Sequence, residues 1–220
     1  MQMTELFNPD NTFFRQIRKI CEIIEVSILW VICSIPLFTI GASTAGLYYA
    51  VVKSIRRDRS YPVKEFIRGF KSNFVKSTVL WFVLVVLALM FFIADLPILF
   101  SVLQGKQVTN LFFGILFLLK LIVLLSLGLY GIPVLTRFQL GFLKIMEMAL
   151  VLSVLNFMHT LFIVLIFIVT VALLIFEPLL LVFLPALSCL CCSFTIERVL
   201  KKHTKVSLTE DTVRDTWYLE

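Results

Sequence analysis

FVKSTVLWFVLVVLALMFFIA, residues 74–94, decides the class of this chain. It carries one base, Lys76, close to its start, and no acid. A helix rising 1.5 Å per residue needs about 20 apolar residues to cross a hydrocarbon core of about 30 Å, and this stretch supplies them. Four further apolar runs lie at 23–52, 111–135, 157–176 and 179–196. Together they predict an all-α, polytopic transmembrane helical bundle of about five spans, one membrane domain over residues 1–220. Composition agrees: 60% of residues are hydrophobic and 15% charged, against roughly 45–50% and about 25% in soluble domains. The mean hydropathy is +1.01.

The net charge of +6 invites a nucleic-acid reading, but the bases cluster beside apolar runs and follow no soluble face. They obey the positive-inside bias instead. Lys53, Arg56, Arg57, Arg59, Lys64, Arg68 and Lys71 crowd the connection after the first run, against only Asp58 and Glu65. That connection is expected in the cytoplasm, as are Arg137 and Lys144 and the tail with Arg198, Lys201, Lys202 and Lys205. The segment 95–110, with Lys106 alone, and the Glu177–Pro178 turn are expected outside.

The first run is too long for one straight span and too short for two. Pro36 removes a helical N–H donor in its middle. The preferred reading is a kinked helix whose C-terminal part passes beyond the membrane. The alternative is a re-entrant pair of half-helices. Five spans with a cytoplasmic C-terminus place the N-terminus outside. Arg15, Arg18 and Lys19 argue the reverse, and if they prevail the run must be re-entrant. No cleavable signal peptide is visible, so insertion is expected through the first span. Five cysteines (21, 33, 189, 191, 192) read as small apolar helix residues, with no disulfide or metal spacing.

Within PLFTIGASTAGLYY (36–49), Gly41, Ala42, Ser43, Thr44, Ala45 and Gly46 follow Pro36 and put small residues four apart. This is the pattern by which helices approach closely in lipid. It is a packing seam within the bundle or a docking surface for another membrane protein. In the basic stretch that follows, Phe66, Phe70 and Phe74 recur every four residues among Arg56, Arg57, Arg59, Arg68 and Lys71. An aromatic face beside a basic one suits an interfacial helix on anionic lipid, or a partner's cytoplasmic domain.

A weak internal repeat pairs Gly46-Leu47-Tyr48 with Gly128-Leu129-Tyr130 and Asn73-Phe74 with Asn156-Phe157. Lys120 is the one charge deep inside a run, about 14 Å from its start at 1.5 Å per residue. Unpaired, it would cost at least ~2.5 kcal/mol, so Glu25, Asp95 or Glu177, all expected toward the outer side, should pair with it. The pair is structural or a ligand site. His159 reads as interfacial. No metalloprotease, nucleophile-elbow or phosphate-loop motif occurs in the sequence, and neither enzymatic chemistry nor a cofactor is expected.

Phe7-Asn8-Pro9, the 36–49 segment and Phe70-Lys71-Ser72-Asn73-Phe74 resemble the YesL family of small bacterial membrane proteins, with looser likeness through Arg137-Phe138 and a helix around Ala149. That family has no established activity and passes on no catalytic or ligand residues. The resemblance implies a setting in the bacterial cytoplasmic membrane beside carbohydrate ABC importers, sensor kinases and glycoside hydrolases. The expected function is that of a non-enzymatic accessory subunit associating with an ABC permease or histidine kinase. A small-solute transporter or channel is the alternative.

Overall fold

A computed structural model describes residues 12–57, 61–103 and 111–207. Arg59, the Phe7-Asn8-Pro9 motif and the end of the tail lie outside the described residues, so those expectations concern parts of the chain on which the structure says nothing. Among the described residues the fold is entirely helical. The helices are α1 (Thr12–Ser34), α2 (Ile40–Ala50), α3 (Pro62–Leu103), α4 (Leu111–Arg137), α5 (Phe142–Leu155), α6 (Phe157–Phe176) and α7 (Leu184–Ser207). Short 3-10 turns precede α2 (Leu37–Thr39) and α7 (Pro178–Val182), and a π-helical turn (Val51–Ile55) extends α2. Stretches of three helices are long and apolar enough to cross a membrane: Pro62–Pro97, Phe113–Arg137 and Phe157–Phe176. This is a membrane protein.

The first run is neither straight nor gently kinked. The helix stops at Ser34, and α2 runs back alongside α1. Trp30 Nε1 donates to Thr44 Oγ1 at 3.2 Å, although 14 residues of continuous helix would separate them by about 21 Å. Ile23 and Val26 share a core with Leu47, Ala50, Val51 and Ile55. The pair of half-helices is therefore the arrangement adopted, and the kinked reading gives way to it. The reversal also carries the start of α1 to the end of the molecule that holds the basic connection. Five spans had placed that start at the end opposite the basic connection, whereas Arg18 of α1 and Lys64 of α3 line one groove.

Breaking a helix at depth frees backbone groups that lipid cannot satisfy. Here side chains take them up. Thr39 Oγ1 lies 2.6 Å from both Cys33 O and Pro36 O, and Trp81 Nε1 donates to Leu37 O at 3.0 Å. Ser27 serves the far element in the same way. Its Oγ donates to Phe183 O at 3.3 Å and accepts from Ala186 N at 3.2 Å, near the start of α7.

The small residues of α2 face α3. A Cβ on Gly41 would meet the Ser77 carbonyl and come within 2.7 Å of Trp81 Cβ, and one on Gly46 would lie 2.9 Å from Phe66 O. Ala42, Ser43 and Ala45 are fully buried. The seam is thus spent inside the bundle, against the chain's own third helix.

α3 is a single helix of 42 residues, so residues 62–74 of the basic aromatic stretch are its first turns and not a separate helix lying on lipid. The aromatic face points inward. Phe66 is 1% exposed and stacks on Phe70, which meets Phe74 edge-on. For Phe66 the expectation of a lipid or partner contact gives way, because its ring and the Cβ of Phe70 pack beside Gly46; Phe70 and Phe74 stay half-buried.

The connection at 136–156 contains α5, which folds back along α4: Ser126 Oγ and Ser153 Oγ are 2.6 Å apart. The repeat is visible only around its asparagines. Asn73 Nδ2 donates to Gly69 O at 3.0 Å and Asn156 Nδ2 to Leu152 O at 3.1 Å, each followed four residues on by a hydroxyl bonding back to the asparagine carbonyl. Its glycines differ: Gly46 is in tight contact, while a Cβ added to Gly128 would meet nothing within 4 Å.

Two outcomes follow from this packing. Gly41→Ala should lower the thermal midpoint of the detergent-purified protein by several degrees, while Gly128→Ala should leave it within about one degree, read by tryptophan fluorescence. Cysteines introduced at Gln16 and Lys64 in a cysteine-free background should label from the same face of a sealed vesicle. Labelling from opposite faces would rule out the hairpin.

Candidate functional site

Charged side chains divide between two ends of the molecule. At the basic end, α4 delivers Arg137 from its last turn and α7 delivers Glu197. Arg137 Nη1 donates to Glu197 Oε2 at 2.8 Å, with side chains 2% and 5% exposed. Tyr48 of α2 donates to the other carboxylate oxygen at 2.7 Å, and the guanidinium lies 5.6 Å from the centre of the Phe138 ring. Three helices distant in sequence meet on one carboxylate. Residue types alone did not announce this cluster; Arg137 read simply as a topogenic base, and Glu197 carried no motif. The one available signal was an acid in an otherwise apolar and basic segment.

Next to it, Lys53 Nζ lies 3.0 Å from Glu65 Oε2 and 3.2 Å from Tyr49 Oη. Arg56 donates to Ser193 O at 3.1 Å and packs 4.7 Å from the centre of the Phe194 ring. Arg56 was expected on lipid or a partner, and instead it ties α2 to α7. The π-turn at Val51–Ile55 adds a residue to the helix and re-aims the side chains that follow. Arg57 is half-buried, and Arg68 and Lys71 remain exposed.

Outside this network, α1 and the start of α3 enclose an open groove of about 650 Å³, lined by Arg18, Glu22, Glu25, Tyr61, Lys64 and Ile67, among others. Glu25 therefore sits at the basic end, not beside Lys120, because the reversal of the hairpin brings α1 down to this level. Tyr61 forms part of the wall, 73% exposed, with φ at 87°. A side chain in that conformation stores about 1–3 kcal/mol of strain. Arg18 and Glu22 lie 3.7 Å apart on the α1 side.

At the other end, Lys120 pairs with Asp95 at 2.5 Å. Of the three carboxylates expected to compete for it, Asp95 is the one brought to it, across the α3–α4 hairpin. Glu177 is exposed at the end of α6. The pair lines a shallow groove of about 330 Å³ between the two helices, and its side chains are 25% and 27% exposed. Between the two ends lies an apolar cavity of about 420 Å³, edged by Thr44, Tyr48, Trp81, Leu124, Phe167 and Cys189 among others. His159 is exposed near the start of α6. Among the described residues, no three His, Cys, Asp or Glu side chains are grouped to hold a metal ion.

Removing one member of the buried Arg137–Glu197 pair leaves an uncompensated buried charge, which costs about 3–5 kcal/mol. Arg137→Met should therefore sharply lower stability in detergent, and Arg137→Met combined with Glu197→Met should recover most of the loss. A double variant no more stable than the single one would contradict the pairing.

Comparison with known proteins adds one result. A family described as "Protein of unknown function, DUF624" matches residues 23–95, about a third of the chain. No curated protein and no solved structure matches. The matched stretch begins in α1, takes in the whole reversal at Pro36 and the glycine seam, and ends on Asp95; over these residues the chain is similar to a family whose function is uncharacterised.

Proposed function

We propose that this chain is a non-enzymatic accessory subunit of a bacterial cytoplasmic membrane, associating with a carbohydrate ABC importer permease or a sensor kinase. The observation that carries the reading is the groove between α1 and α3. Its wall alternates Arg18, Glu22, Glu25 and Lys64 with Tyr61 and Ile67. A surface meant only for anionic lipid would be uniformly basic, whereas one with both signs and exposed apolar side chains suits a protein segment. The strained, exposed tyrosine supports it further, since backbone strain is retained where the surroundings impose it and function uses it.

Positive-inside asymmetry supports a cytoplasmic position for this groove, for the start of α1 and for the end of α7. The carbohydrate setting rests on the resemblance of residues 36–49 and 70–74 to the YesL family. The apolar lining of the central cavity favours this reading over transport of a polar solute, which would need polar groups along its path.

Purification of the tagged chain from membranes in mild detergent tests the proposal. A permease or kinase subunit should co-purify, and Lys64→Glu should reduce its recovery about tenfold. Tyr61→Gly should raise the thermal midpoint by relieving strain of about 1 kcal/mol or more while weakening recovery of the partner. Recovery of neither class, under conditions that keep known membrane complexes intact, would refute the reading.

A further inference from the structure

We infer that the exposed hairpin formed by α3 and α4 is the contact surface of a two-fold symmetric dimer, with a second copy of this chain as the occupant of the Lys120–Asp95 groove. This surface lies at the end of the molecule remote from the α1–α3 groove, so it stands or falls independently of the proposed function.

The first observation is where the pair sits. Lys120 lies 17 residues from Arg137 along α4, about 26 Å at 1.5 Å per residue, within a stretch apolar enough to span a membrane. Among the described residues the bundle leaves the pair partly open, with side chains 25% and 27% exposed. Around it Phe92, Leu96, Phe117 and Leu121 line the groove and are all exposed. An ion pair within a span that protein leaves partly uncovered is an uncommon arrangement, since ionisable groups within spans normally face protein.

The second observation is the chemistry of the face. Lys120 has three N–H donors and no acceptor, and the Asp95 carboxylate accepts only. A single bond between them, with the Phe91 ring 6.0 Å from Nζ, leaves donors on one helix and lone pairs on its neighbour. A face with one unit of each sign, on adjacent helices, is complementary to itself after a half-turn. An isologous contact sets each residue against its opposite number's partner. Two copies so arranged place each Lys120 between two Asp95 carboxylates, in a closed ring of four charges with zero net charge. Phe92 and Phe117, on the groove walls, would be buried around it. Acyl chains cannot supply those bonds.

The experiment uses the full chain carrying donor or acceptor fluorophores on a C-terminal tag, in phosphatidylcholine–phosphatidylglycerol vesicles over a series of protein-to-lipid ratios. The wild type should show energy transfer that saturates as a dimer. Lys120→Asp and Asp95→Lys, each alone, should associate at least tenfold more weakly, since like charges then face each other. Mixed together, the two variants should associate again, because an acidic face meets a basic one. An intramolecular pair with only a structural role predicts no such rescue.

If either charge variant fails to fold, the Lys120→Leu, Asp95→Leu double variant replaces them and should lose at least tenfold in association. A wild type that stays monomeric across the series overturns the inference. So does a folded mixture that associates no better than its components, or an apolar double variant that dimerises unchanged.

Discussion

The reversal at Ser34–Thr39 is possible because side chains claim the carbonyls that the break sets free. A helix interrupted by Pro36 loses backbone hydrogen bonds, and at membrane depth no water replaces them. Thr39 covers Cys33 O and Pro36 O, and Trp81 reaches across from α3 to Leu37 O. Trp30 bridges the two arms through Thr44, and Ser27 serves the start of α7. The break thereby makes α1, α2, α3 and α7 depend on one another. Gly41 and Gly46 complete the dependence, since Trp81 can lie over the tip only if α2 and α3 approach at glycine distance.

Charge is handled in two ways. At the basic end, bases that could have faced water turn inward and are each given a partner: Arg137 on Glu197, Lys53 on Glu65, Arg56 on the Ser193 carbonyl. Glu197 has both oxygens occupied, by Arg137 and Tyr48, and full satisfaction is what makes a buried ion tolerable. At the other end, Lys120 and Asp95 neutralise each other but stay half-open. The contrast divides the molecule into a closed, cross-linked end and a hairpin whose sides remain uncovered.

Much of the fold was legible. Residues 74–94 and 157–176 could only be membrane-length helices, and Pro36 marked the break. Lys120 required a carboxylate partner, and Asp95 was among the few at reach. The rest depended on direction in space. The Phe66, Phe70, Phe74 stripe has the same periodicity whether it lies on lipid or on Gly46, and nothing in the spacing separates the two. The α5 segment, Phe142–Leu155, reads as part of a connection until Ser126 and Ser153 are seen to meet. Arg137 looked like a sorting signal because Glu197 is 60 residues away.

Sequence by itself determined the solvent of this protein, the asymmetry of its charges and the place where its first helix must break. These follow from local terms: transfer of apolar side chains out of water, the cost of moving charge across lipid, and the missing N–H of proline. Only the tertiary structure decided that the broken helix turns back on itself, which puts both α1 and the basic connection at one end, and which acid meets which base. Those outcomes depend on contacts between residues far apart in the chain, where the requirement to satisfy buried polar groups selects one packing among several that the local pattern permits.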